Sequence, residues 1–215
     1  GSDYTATSGT ITFLAGQTSQ SINVVSLQDS LDEANETLSV VLSGYGSIGS
    51  AAGNATINDD DSPPLIEWAT SAQSKSESIG LVTVTARLDA LSGLTVTANY
   101  TVGGSSDGSD HDGSSGTLTI VAGSSEADII FSIYDDVIDE SDETVTYSMI
   151  SPTNASLGTN ILHTLTILDN DIVSMSIADA NATEGQTLSF AVTLSGTAAS
   201  AITISYVTSP GTAAS

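Results

Sequence analysis

An all-β fold is what the sequence predicts, built as an antiparallel Greek-key sandwich of about seven strands per repeat. Three observations carry it: clean apolar/polar alternation, turn-rich segments without helical period, and an internal repeat whose motifs recur at a shift of 107 in numbering. A short strand opens at 65–69. In 81–88, Val82, Val84, Ala86 and Leu88 share one face while Thr83, Thr85 and Arg87 share the other, the pattern of a half-buried strand. The segment 94–102 repeats it, with Leu94, Val96, Ala98, Tyr100 and Val102 inward. Segments 116–121, 127–133, 144–149 and 161–168 complete the set, separated by Gly, Ser, Asn and Asp clusters that favour turns.

The repeat sets the organisation. Ser8-Gly9-Thr10 recurs as Ser115-Gly116-Thr117, a numbering shift of 107 (115 minus 8). Asp29 falls on Asp136, Asp32-Glu33 on Asp139-Glu140, and Glu36-Thr37 on Glu143-Thr144 at the same shift. The run from Thr56 to Asp61 answers the run from Thr166 to Asp171, now shifted by 110. Glu77 falls on Glu184 at 107 and Tyr100 on Tyr206 at 106. A period of this length is the size of one immunoglobulin-like sandwich. One complete unit is therefore expected at 62–171. Residues 1–61 match only the second half of a unit, roughly four strands, and 172–215 only the first half, roughly three. These flanking halves are complementary, and each alone would expose sheet edges and an apolar face. Head-to-tail self-association, with the C-terminal half of one molecule completing the N-terminal half of another, is the expected consequence.

Twenty-six Asp and Glu stand against two Lys and Arg, a formal net charge of −24. Such a chain repels nucleic-acid phosphates and anionic membrane surfaces. No run is long and apolar enough to span a bilayer as a helix. The chain contains no cysteine, which removes disulfides, cysteine-ligated zinc and thiol chemistry. Acid-rich chains with 5% aromatics are often disordered, but here the acids are clustered between alternating strands. Clustered carboxylates in a folded unit repel one another unless a hard divalent cation neutralises them.

Within 62–171 the acids lie in four places: Glu77 after the opening strand, Asp110 and Asp112 before Ser115, the run from Asp135 to Glu143, and Asp169 with Asp171 after the last strand. Loops of a Greek-key sandwich can converge at one end and supply the six to eight oxygens Ca²⁺ takes. The combined pattern Asp-Tyr-x₃-Ser-Gly-Thr, then Asp-x₂-Asp-Glu-x₂-Glu-Thr, then a terminal Asp-x-Asp, resembles the Calx-beta motif. The resemblance spans nearly the whole chain. It implies an immunoglobulin-like sandwich binding Ca²⁺ through loops near the domain junction. It nominates Glu77, Asp110, Asp135, Asp136, Glu140, Glu143, Asp169 and Asp171 as ligands in the complete unit. The first half supplies Asp3, Asp29, Glu33, Glu36, Asp59, Asp60 and Asp61, and the last half Glu184. Gln28 replaces one acid of the pattern, Asn170 interrupts the terminal run, and His111 stands where Tyr4 stands in the other copy. Asp139 and Asp142 are expected to face solvent.

Catalysis finds no constellation. His163 alternates with strand residues and reads as packed, while His111 has no nucleophile motif beside it. No Gly-x-Ser-x-Gly elbow occurs, and the single tryptophan, Trp68, offers no sugar-binding platform. The expected role is a calcium-binding structural or adhesive repeat of a secreted, surface or matrix protein. A regulatory calcium sensor, as in the sodium–calcium exchangers of the same family, is the alternative. Calcium ions, adjacent repeats and further copies of the chain are the expected partners.

Overall fold

The computed structural model, which describes residues 2–44 and 48–212, turns the alternation into fifteen strands among those residues. They are β1 (Glu36–Val41), β2 (Ala52–Ile57), β3 (Leu65–Trp68), β4 (Ala72–Ser76), β5 (Leu81–Leu88), β6 (Val96–Gly104), β7 (Gly116–Ile120), β8 (Glu126–Ser132), β9 (Ile138–Asp139), β10 (Glu143–Thr153), β11 (Ser156–Leu157), β12 (Leu162–Leu168), β13 (Met175–Ile177), β14 (Val192–Leu194) and β15 (Thr197–Ala198). No helix among the described residues is long and apolar enough to cross a membrane.

The middle of the chain folds as two packed sheets, one in the order β4-β12-β10-β6-β7 and the other β11-β3-β5-β8. Their facing residues make one core. Ile66 and Trp68 of β3, with Val82, Val84 and Ala86 of β5, meet Val96, Ala98, Val145, Tyr147, Met149 and Leu165 from the opposite sheet, all buried. Trp68 stands edge-on to Tyr100 and Tyr147, with ring centroids 6.3 and 6.1 Å away, a favoured aromatic geometry. Its indole N–H donates to the carbonyl of Ile161 at 3.2 Å, so the polar atom of this buried ring is satisfied.

One strand of the sandwich was not predicted. The opening strand ends at Trp68, and the chain crosses to the other sheet, where β4 runs parallel to β12. Ala-Gln-Ser-Lys-Ser carries no apolar alternation because it is an edge strand, paired on one side only, and polar edges discourage further pairing. That crossing places Glu77 directly after β4, on a short 3₁₀ turn spanning Glu77–Ile79. Strand β6 begins and ends two residues later than the alternation predicts, closing at Gly104. There φ is +127°, and a β-carbon would collide with the carbonyl of Thr144. That carbonyl instead accepts hydrogen bonds from the backbone N–H groups of Ser105 and Ser106. Glycine is required at this bend, which starts the loop leading to Asp110.

The flanks are less complete. Before the sandwich, β1 and β2 form an antiparallel hairpin pairing Glu36 with Ile57. This is the register of β10 with β12, where Glu143 faces Ile167. The four strands expected in this part reduce, among the described residues, to that hairpin and a bridge between Tyr4 and Ser26. The same bridge, one repeat further along the chain, joins His111 to Ile133 in the middle unit. After the sandwich, β13 pairs with β14, while β15 pairs with β9 of the middle unit. Both flanks leave large apolar side chains in solvent, among them Phe13, Leu42, Phe190 and Tyr206. A strand without a facing sheet has nothing to bury its apolar side against.

Candidate metal centre

The acids converge at strand ends, in two groups. In the first, Asp3, Asp29 and Glu33 each offer a carboxylate oxygen, and these oxygens lie within 4.8 Å of one another. The concavity around them is completed by Glu36, Asp59, Asp60 and Asp61. The neighbouring Asp3 carboxyl raises the Glu36 pKa above its ordinary value. Burial first, then the charges of Asp59 and Asp60, raises that of Asp61. Gln28, the departure from the acidic pattern, donates to Asp60 Oδ1 at 2.9 Å. An amide there tethers the neighbouring acid instead of adding charge.

The second group is Glu77, Asp169 and Asp171, again with oxygens within 4.8 Å. Glu77 is only 6% exposed. Burial pushes its carboxyl up to about 7, opposed by an N–H bond from Asn170 and reinforced by the charges of Asp169 and Asp171. Asn170 also accepts from the Ser76 hydroxyl at 2.9 Å and donates to Asp135 at 3.4 Å. It acts as a neutral spacer holding the Glu77 turn against the terminal acids. This role was not legible in the sequence, where Asn170 reads only as a lost charge.

Beside this group lie the remaining acids of the middle unit. Burial first, then the neighbouring Asp110 carboxyl, raises the Glu143 pKa. Burial, then the charges of Asp110, Asp136 and Asp169, raises that of Glu140. Asp110 is held by the Ser106 hydroxyl at 3.1 Å and the Asp107 N–H at 2.9 Å. Asp136 accepts from the Ile138 N–H at 2.7 Å, a turn that aims its loop back toward β10. Asp135 is exposed at the rim. Asp142 accepts from the Asp169 N–H at 3.3 Å and is otherwise exposed, while Asp139 is half-buried, its backbone paired with β15. Glu184 is exposed, and no metal-sized group among the described residues includes it.

Three carboxylate oxygens decide what this arrangement can hold. Glu77 Oε1, Glu143 Oε2 and Asp171 Oδ2 are buried with no hydrogen-bond partner. A buried carboxylate oxygen without a donor is costly, and hard oxygens converging from several loops suit Ca²⁺. The residues therefore fit that ion.

The pairs Asp3–Glu36 and Asp110–Glu143 occupy the same two repeat positions, 107 apart, and sequence comparison gives the repeat its family. The Calx-beta domain profile matches residues 1–61, 59–171 and 169–215. The chain belongs to the Calx-beta domain family. No curated protein matches it. Among solved structures, the "Apo-form Calx CBD1 domain" is 22% identical at a TM-score of 0.48, covering 51% of this chain and 100% of that one. "CBD12 from CALX1.2" is 21% identical at 0.47, covering 52% of this chain and 48% of that one. The Calx-beta chain is thus all-β and tandem, a sandwich family with acidic loops suited to calcium. The histidines play no part in the acid groups. His163 Nδ1 meets the Thr70 carbonyl at 2.7 Å, and His111 Nδ1 accepts from the Gly113 N–H at 3.0 Å.

Proposed function

We propose that this chain is a calcium-binding structural module of a tandem-repeat protein, working outside the cell at a surface or in a matrix, and not an enzyme. The observation that carries this reading is the repeated carboxylate pair. Asp3 beside Glu36, and Asp110 beside Glu143, each hold the neighbouring carboxyl's pKa up, in loops where a divalent ion would offset that repulsion. The ligands proposed for the middle unit are Glu77, Asp110, Asp135, Asp136, Glu140, Glu143, Asp169 and Asp171. Those for the first are Asp3, Asp29, Glu33, Glu36, Asp59, Asp60 and Asp61. Glu184 would serve a third unit when its other loops are supplied. Calorimetric titration with Ca²⁺ tests this. Saturation near roughly 0.1–1 mM supports an extracellular strut, micromolar saturation supports a regulatory sensor, and no heat of binding removes the calcium reading.

The division at 1–61, 62–171 and 172–215 gives the flanks a further role in self-association. Exposed Ile11, Phe13 and Leu42, with the half-buried Leu38 and Val40, line an open groove. At a shift of 107 each corresponds to a buried core residue of the middle unit: Leu118, Ile120, Met149, Val145 and Tyr147. At a shift of 106, Phe190, Val192, Leu194, Ile202 and Ile204 correspond to buried Val84, Ala86, Leu88, Val96 and Ala98. The C-terminal segment thus carries counterparts of β5 and β6, one strand from each sheet of the sandwich, which the N-terminal part lacks. Light scattering is expected to show mass rising with protein concentration. A strictly monomeric species at high concentration, in calcium and in chelator alike, would remove the self-association reading.

A further inference from the structure

Asp32 and Asp139 recur at the spacing of the acidic loop yet belong to neither carboxylate group, and each lies against the following unit. Asp32 forms a parallel bridge with Ser92, and its carbonyl accepts from the Gly93 N–H at 2.9 Å. Asp139, in β9, pairs in parallel with Ala198 of β15, and its carbonyl accepts from the Ala199 N–H at 3.0 Å. Asp32 and Asp139 are one repeat position, 107 apart. Gly93 and Ala199 are another, 106 apart, in the register that superimposes Tyr100 on Tyr206. The same hydrogen bond therefore occurs at both junctions, between loops of different sequence.

We infer that this contact is a built joint: the acidic loop of each unit docks, through its backbone, on the segment of the next unit that follows β5 in the middle unit and β14 in the last. The partner surface is thus an adjacent repeat, and what it recognises is an extended main chain, not a side-chain code. A parallel bridge, of one residue pair at the first junction and two at the second, fixes direction as well as distance. The joint clamps the loop one residue before Glu33 and Glu140, so the following unit steadies the loop that carries those acids. It is made of backbone groups and stands whether or not the acids hold an ion.

The two joints differ in strength. At the first, Ser92 is 1% exposed and Asp32 7%. The Ser92 hydroxyl reaches Asp32 O at 3.2 Å and Oδ2 at 3.0 Å, and accepts from the Leu94 N–H at 3.0 Å. A β-carbon on Gly93 would come within 2.7 Å of Glu33 Cγ, so glycine permits the close approach. At the second, alanine fills both positions, the hydroxyl is missing, and Ala198 is only half-buried.

Amide hydrogen exchange on the full chain, followed by NMR in chelator, tests the joint. The Gly93 and Ala199 amides are expected to exchange at least about tenfold more slowly than exposed neighbours such as Ser200. Gly93 is expected to be the slower of the two. Ser92→Ala, which keeps every backbone donor, is expected to speed exchange at Gly93 by about 2- to 12-fold, the worth of one hydrogen bond, and to leave Ala199 unchanged. Exchange at Gly93 and Ala199 at the rate of Ser200 would overturn the joint. Protection at Gly93 that Ser92→Ala leaves intact would overturn the role of the hydroxyl. Neither result depends on calcium affinity, which the calorimetric titration reads separately.

Discussion

In saturating calcium the protein is expected to melt well above its temperature in chelator. A ligand that binds only the folded state stabilises it by about 2.7 kcal/mol at a hundredfold excess over its dissociation constant, which for a domain of this size shifts the midpoint by on the order of 10 °C. The decisive variant is Glu77→Gln. In chelator, Glu77 is a buried acid beside Asp169 and Asp171, and its carboxyl is pushed up to about 7. Neutralising it is therefore expected to leave the chelated protein as stable as the parent or more so, while shrinking the calcium increment. A variant that melts lower in chelator and keeps the full increment would assign Glu77 to packing alone. The pH dependence has a definite sign. A carboxyl whose folded pKa lies above its unfolded value of 4.5 holds its proton more tightly when folded. Stability in chelator thus falls as pH rises from about 4.5 to about 7, then levels off. Calcium needs the ionised form, so its stabilisation is expected to grow over the same window. Melting curves at pH 5 and pH 7.5, with and without calcium, check both trends.

Trp68→Ala is expected to cost about 3–5 kcal/mol, the usual cost of removing a large aromatic side chain from a packed core. Trp68 is fully buried, as are Tyr147 and Ile66. It sits where β3 meets the rings of Tyr100 and Tyr147 from the other sheet. The substitution also leaves the Ile161 carbonyl without the indole donor. Against a typical total stability of about 5–15 kcal/mol, this is a loss that denaturant titration reads directly. A loss below about 1 kcal/mol would mean that the facing sheets close over the gap. Trp68→Phe, which keeps most of the volume, is expected to recover most of the loss.

Both expectations rest on features of unequal visibility in the sequence. The core faces of β5 and β6, and the existence of β7, β8, β10 and β12 as strands, are readable because alternation has the period of a strand and nothing else competes. Strand β4 is not, because an edge strand needs no apolar face, and Ala72–Ser76 looks like a polar turn. The acids were legible as repeated positions. Their grouping was not: Asp3, Asp29 and Glu33 converge in the first unit, whereas the middle unit gathers Glu77 with Asp169 and Asp171 instead. Equal spacing along the chain does not equalise loop geometry. Asp110 is drawn toward its own loop by Ser106 and Asp107, and Asn170 draws the terminal acids toward Glu77. Asp139 shows the limit most plainly. Beyond the solvated carboxylate that its sequence context predicts, its carbonyl accepts a hydrogen bond from the next unit, and no side-chain pattern encodes a main-chain contact.

The sequence by itself determined that the chain is an all-β tandem repeat, where its strands alternate, and which acids recur with the repeat. Those are properties of period and spacing, which a linear string carries in full. Only the tertiary structure decided which carboxylates share a site, which of their oxygens are stranded without donors, and how one unit holds the next. Each depends on groups far apart in the chain being brought together across strand ends and junctions, and on the burial that turns a solvated acid into one that favours a bound cation.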